Sequence, residues 1–150
     1  MTELEAIAAT VEDAFANEQN KCAVLTGRAP AGTKIPYVVL RYGSPGRPAE
    51  VVMSGTRGST RERLQVTSVG GSLAQALYWR DAARNALTDG VDRNPKTITG
   101  VAGRVVQVEW LWDERPYSAA NDTTIPASNT AFEVAVGLFD VHSHPVPEES

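Results

Sequence analysis

Residues 62–87 read ERLQVTSVGGSLAQALYWRDAARNAL, and the change of hydrophobic period inside this stretch decides the fold class. From Glu62 to Val69 the residues alternate, with Leu64, Val66 and Ser68 on one side and Arg63, Gln65, Thr67 and Val69 on the other. That two-residue period predicts a strand. Gly70-Gly71-Ser72 interrupts it. Ser72 with Gln75 has the spacing of a capping box, in which each side chain satisfies a free backbone N–H of the first helical turn. Leu73, Ala76, Leu77, Ala83 and Leu87 then recur as one broad apolar helical face, and Gly90 stands where a left-handed residue ends a helix.

The flanks extend the pattern. Thr2 and Glu5 form a capping box ahead of Leu4, Ile7, Val11 and Phe15, an apolar helical stripe that stops near Asn17. Cys22 to Thr26 and the β-branched, aromatic run Tyr37 to Tyr42 predict strands, and Val51 to Met53 adds a few strand residues. Downstream, Val106, Val108, Trp110 and Trp112 share one strand face, and Phe132, Val134, Val136 and Leu138 share another. One buried and one mixed strand face beside two amphipathic helices predict an α+β domain. Its mainly antiparallel sheet would have about four to five strands, both helices lying on one face. A single domain over residues 1–141 is expected, with 142–150, which contain two prolines and two glutamates, as a flexible tail.

Composition narrows the function classes. The chain has 150 residues, 42% of them hydrophobic and 21% charged, with a net charge of −4. That balance opposes a main role in gripping nucleic acid, which needs clustered lysine and arginine to neutralise phosphates. No apolar run approaches the roughly 20 residues that span a bilayer. Glu3, Glu5, Glu12 and Asp13 occupy the place of a signal peptide's basic and apolar regions. With Cys22 as the single cysteine, no internal disulfide forms, which fits assembly in a cytoplasm.

Two long excursions leave this frame. Gly43 to Thr60 is rich in glycine and proline, and Asp113 to Asn129 has no pattern of its own. Connections beyond about 12–15 residues are uncommon in compact domains and usually have a function. Their charges are opposed: Arg41 to Arg63 holds five arginines against two glutamates, whereas Asp113 to Ser150 holds seven acids against Arg115. Such asymmetry suits one copy meeting the next. Arg47, Arg57 and Arg61 in the first region, and Trp112, Asp113, Glu114, Tyr117 and Ile125 in the second, are therefore the candidate contacts with other copies and partners.

Catalytic readings find little support. His142-Ser143-His144 supplies half a zinc site at most. The glycine-rich segments 43–46 and 55–58 lack the Gly-Lys-Ser/Thr ending of a phosphate loop. Cys22 has no base partner nearby in sequence, and Asp113-Glu114 beside Arg115 fits a solvated turn. Trp79, Trp110 and Trp112 could stack bases, but two of them share a strand face with valines. No nucleophile, base and oxyanion donor come together, so neither enzymatic activity nor a cofactor or metal is expected.

The strand Arg63–Gly70, QVTSVG at its centre, running straight into the helix Ser72–Leu87 with its Gln75-Ala76 pair and the aromatic Trp79 one turn on, resembles the tail terminators of long-tailed (siphovirus) bacteriophages of actinobacteria. Pro36-Tyr37-Val38-Val39-Leu40 is similar to the strand that precedes it in that family, and the order of elements matches over residues 1 to about 141. The resemblance implies a structural virion protein at the tail–neck junction. It would form a homohexameric ring that caps the major tail tube protein, ends tube polymerisation and offers its other face to the head–tail connector or head-completion protein. DNA would pass through the lumen unread. Neck and head-completion proteins share that general fold, and a small ferredoxin-like binding or enzyme domain is the alternative from a different class.

Overall fold

A computed structural model describes residues 2–16, 22–43, 51–53, 59–89, 93–118 and 132–146, with backbone only at 51–53. Helix α1 spans Glu3–Phe15. Strands β1 (Ala23–Thr26), β2 (Tyr37–Tyr42), β3 (Val51–Met53) and β4 (Thr60–Gly70) lead to helix α2 (Leu73–Leu87). After it come β5 (Thr88–Asp89), β6 (Asn94–Ile98), β7 (Arg104–Asp113), β8 (Tyr117–Ser118) and β9 (Glu133–Pro145). Among the described residues nine strands form one sheet in the order β1-β2-β4-β9-β7-β6-β5, with β3 against β4 and β8 against β9. The β1–β2 pair is parallel, and the other pairings among the described residues are antiparallel. The fold is α+β, as the hydrophobic periods predict. The strand count exceeds four to five because β5, β6 and β8, short pieces with no sequence period to betray them, join the sheet.

Both helices begin as expected. The Glu5 amide donates to Thr2 Oγ1 (3.1 Å) and the Thr2 amide to Glu5 Oε2 (3.4 Å), a complete box. In α2 the Gln75 amide donates to Ser72 Oγ (3.2 Å), but Gln75 Oε1 accepts from Gly71 N (2.8 Å) rather than from Ser72. The helix ends at Leu87, ahead of the expected Gly90, because Thr88 turns into the extended β5. Thr88 Oγ1 donates to the Arg84 carbonyl (2.8 Å) and Lys96 Nζ to the Ala86 carbonyl (3.0 Å). These two bonds satisfy carbonyls that the helix end leaves free.

The helices cover one face of the sheet. Ile7, Val11 and Phe15 of α1 and Trp79, Ala83 and Leu87 of α2 pack onto Val38, Leu40, Leu64, Val66, Val106, Val108, Phe139 and Val141. Phe15 and Trp79 meet edge to face with ring centres 4.9 Å apart, a geometry worth about 0.5–1.5 kcal/mol beyond burial. Leu73, expected in this core, is exposed, and Leu77 is only half-buried.

A second apolar cluster lies on the opposite, outer face: Tyr37, Val39, Val69, Val134, Val136 and Leu138, with Ala29 and Ile35 from the β1–β2 connection. Val134 and Val136 are buried as predicted but face away from the helices. The register sets this, pairing Leu64 with Phe139 and Gln65 with Leu138, so Phe139 and Val141 are the helix-side residues of β9. Between β4 and β7, β9 is a central strand buried on both faces from Val134 to Val141, and alternation is not required of it.

Two further expectations are corrected. The predicted tail does not start at 142, since β9 continues to Pro145 with Ser143 paired to Thr60 on one side and Val106 on the other. And Trp110 and Trp112 do not share a face. The β7–β9 register slips between them, Trp110 opposing Phe139 and Trp112 opposing Leu138. This bulge turns Trp110 toward α2 and Trp112 to the outer face.

Candidate functional site

The outer face divides into an apolar half and a polar half. In the polar half, antiparallel pairing sets Arg63 opposite Asp140 and Glu109 opposite Asp140 on the other side. Asp140 is almost fully buried. Its carboxylate accepts from Arg61 Nε (3.0 Å), from Arg61 Nη2 through a very short contact, and from Arg63 Nε (3.1 Å). A buried carboxylate this close to the core is tolerable only with such partners. With Glu109 opposite Asp140, two guanidiniums face two carboxylates, and the Arg61 side chain is 53% exposed. The hydrogen bond to Asp140, then its charge, push the Arg61 guanidinium above its ordinary pKa.

Trp112 completes the patch. Its side is covered by the Arg63 guanidinium, 5.0 Å from the ring centre, and its indole N–H donates to Glu114 Oε1 (2.9 Å). The residue is nevertheless 44% exposed. Arg115, also exposed, follows it in the chain. An aromatic side chain held by Glu114 and Arg63 yet left open to solvent has the composition of an interface anchor.

Behind the patch the bulge directs Asp113 to the helix side. Asp113 Oδ2 lies 2.5 Å from Arg84 Nη1 and 3.4 Å from Arg80 Nη2, and Oδ1 accepts from the Trp110 indole (3.2 Å). Asp81 lies 3.1 Å from Arg80 and 3.3 Å from Arg84. The Arg84 and Arg93 guanidiniums stand 5.6 and 5.2 Å from the Trp110 ring centre. This cluster ties α2 to β7. Arg84 Nε is buried without a partner, so the guanidinium depends on its other bonds.

A second cluster fastens the start of α1. Glu3 Oε1 accepts from Ser143 Oγ (2.6 Å) and lies 3.4 Å from Arg104 Nε, which donates to Ser143 Oγ (2.6 Å). The Tyr42 hydroxyl donates to Glu3 Oε2 (3.5 Å). Burial, then the charges of Glu3 and Glu62, push the Tyr42 phenol up; burial, then Glu3, raise the Glu62 carboxyl. Cys22 is buried, and burial pushes its thiol up to about 12, which leaves it a poor nucleophile.

On the helix side an open groove of about 410 Å³ runs between α1 and α2. It is lined by Ala14, Phe15, Tyr78, Asp81, Ala82 and Ala86, among others. Among the described residues no three His, Cys, Asp or Glu gather as a metal cluster, and no helix is long and apolar enough to cross a membrane.

Of the sequence-predicted contact residues, Arg61, Trp112 and Glu114 come together on the outer face. Asp113, adjacent in sequence, turns to the other side of the sheet. Tyr117 is half-buried against the outer apolar cluster. Arg47, Arg57 and Ile125 lie outside the described residues, as do most of both excursions. Sequence reasoning missed Arg63 and Asp140, which belong to the same patch. They are 77 residues apart, and only the β4–β9 register joins them.

No protein-family model matches the chain, and no curated protein matches it. Among solved structures it is similar to a chain described as "Virion of native gene transfer agent (GTA) particle", with a TM-score of 0.58 and 15% identity. The match covers 95% of this chain and 98% of that one. At that identity the likeness is one of fold.

Proposed function

We propose that this chain is a non-enzymatic structural protein of a phage-like particle, and within that class a tail terminator. The observation that carries the virion class is the fold shared with a virion chain over nearly the whole length of both; the terminator role within it rests on the resemblance of residues 63–70 and 72–87 to tail terminators. On this reading six copies form a ring on the last ring of the major tail tube protein, stop tube growth and present the opposite face to the head–tail connector. DNA passes through the lumen without sequence-specific contact, and no cofactor takes part. Ring contacts are of the head-to-tail kind, because one small chain closes a cyclic assembly most economically that way.

Arg61, Trp112 and Glu114 supply contact residues on the outer face, while Asp113 braces them from behind and Tyr117 anchors the strand that follows. Arg47, Arg57 and Ile125 of the two excursions belong to the same proposal. The exposed, fixed indole beside arginines supports this role, since a few aromatic and arginine side chains dominate most interfaces.

The test is deletion of the gene from the parent particle, with tail lengths measured by electron microscopy. Headless tails of uncontrolled length are expected, and a wild-type copy restores them to one length. Tails of normal length that fail to join heads would assign the chain to the neck instead.

A further inference from the structure

We propose that Glu62 is a proton-controlled latch on the first turn of α1. With Glu62 neutral, Glu3 fastens that turn to β7 and β9. With Glu62 ionised, the fastening loosens and the turn opens more often. The latch goes beyond the assembly reading and does not depend on it.

Three observations support it. The first is that Glu3 carries the polar contacts between α1 and the sheet. Among the described residues its carboxylate accepts from Ser143 Oγ (2.6 Å) and from the Tyr42 hydroxyl (3.5 Å), and lies 3.4 Å from Arg104 Nε. The other side-chain hydrogen bonds of α1, between Thr2 and Glu5 and from Thr10 to the Ala6 carbonyl, stay within the helix and its cap. Docking of the first turn therefore depends on what Glu3 holds.

The second is the placement of Glu62. Strand alternation puts it on the helix side, two residues before the buried Leu64. The register sets Thr60 opposite Ser143 and Leu64 opposite Tyr42. Glu62 stands between these pairs, a diagonal neighbour of both residues whose hydroxyls bond Glu3. The titratable and charged groups facing it are Glu3 from α1, Tyr42 from β2 and, beyond Ser143 of β9, Arg104 from β7. Directly opposite it are Val141 of β9 and Val51 of β3, and β3 contains no titratable residue.

The third is charge. Arg61 and Arg63, its chain neighbours, point to the other face and are taken up by Asp140. Arg104 is engaged by Glu3, and among the described residues Glu62 makes no ion pair. Once Glu62 ionises, two carboxylates share one guanidinium in a partly buried cluster, where like charges destabilise each other. Burial, then Glu3, raise the Glu62 carboxyl, in agreement with this geometry. A carboxyl raised in the folded state stabilises below its ordinary value and loses that stability as pH rises through the folded value. The latch is thus tight in mild acid and looser at neutral pH.

The experiment is amide hydrogen exchange of the full chain, read by NMR from about pH 5 to about pH 8 and corrected for the intrinsic exchange rate. Ile7 and Ala8 report the first turns of α1, and Ala83 and Ala86 report α2. Protection of Ile7 and Ala8 should lie below that of α2 and fall about threefold across this range, the scale of a like-charge pair at a partly exposed site. In Glu62→Gln it should not change with pH. Glu3→Gln, which removes the other charge, should reduce the slope. His142 and His144 are present in both variants, so any effect of theirs persists there. A wild-type protection independent of pH, the same slope in Glu62→Gln, or an undiminished slope in Glu3→Gln overturns the latch. Protection of Ile7 and Ala8 equal to that of α2 at every pH overturns it too, because the turn would then open only with the whole fold.

Discussion

Asp113→Ala removes the carboxylate that holds α2 to β7, and its cost can be worked from the geometry. Arg84 and Arg80 have side chains only 10% and 11% exposed, and both are within ion-pair distance of Asp113. Deleting one partner of a buried ion pair costs about 3–5 kcal/mol, because the remaining charge is stranded. Asp113 itself is 20% exposed, and Asp81 stays 3.3 Å from Arg84, so the lower end applies, about 3 kcal/mol. In a chain of this length each kcal/mol shifts the melting temperature by about 2–4 °C. A fall of roughly 6–12 °C is expected in thermal denaturation followed by circular dichroism. Combining it with Arg84→Met removes the stranded charge and should recover about half the loss or more. Consider instead a single variant that melts within about 2 °C of wild type yet no longer assembles. Asp113 would then face a partner rather than α2, and the assignment of the bulge would be wrong.

Three more expectations are open to direct measurement. Gly70→Ala should destabilise by about 1–3 kcal/mol, since a Cβ there would come within 2.8 Å of the Ala76 amide nitrogen; urea unfolding indistinguishable from wild type would show that β4 enters α2 less tightly than described. Glu62→Gln should stabilise at neutral pH, because the folded state raises the Glu62 carboxyl and so favours its proton. The wild type keeps its full stability below the ordinary glutamate value, about 4.3, and loses some as pH rises through the folded value. The gain from Gln must therefore vanish in acid, and an equal gain at every pH would contradict the cause given. The Cys22 thiol, buried and pushed up to about 12, should react with a maleimide only as fast as the protein opens; immediate labelling in native buffer would refute its burial.

Much of the fold is legible in the sequence because local patterns determine it. The stripe Ile7, Val11, Phe15 and the alternation Leu64, Val66 put the right residues into the helix-side core. What was not legible depends on pairing. The alternation of β9 is real, but Val134, Val136 and Leu138 face away from the helices, and no residue within 132–138 says which of two covered faces it will join. His142-Ser143-His144 looks like a tail because it is polar. It remains strand because it lies between β4 and β7, with Ser143 bonded to Glu3 and Arg104. The contact patch follows the same logic. Trp112 stands out as an aromatic at a strand end, whereas its separation from Trp110 depends on one bulge, and its neighbours Arg63 and Asp140 come from distant segments.

The ring itself is the central claim, and imaging it on its substrate is the most direct measurement. Purified protein added to tail tubes that lack a cap, then examined by cryo-electron microscopy with averaging of the tube ends, should show one six-fold ring at a single end of each tube. Tubes so capped should no longer lengthen when fresh tube protein is supplied. Protein scattered along the tube wall, ends left bare, or continued growth past a bound ring would contradict the account.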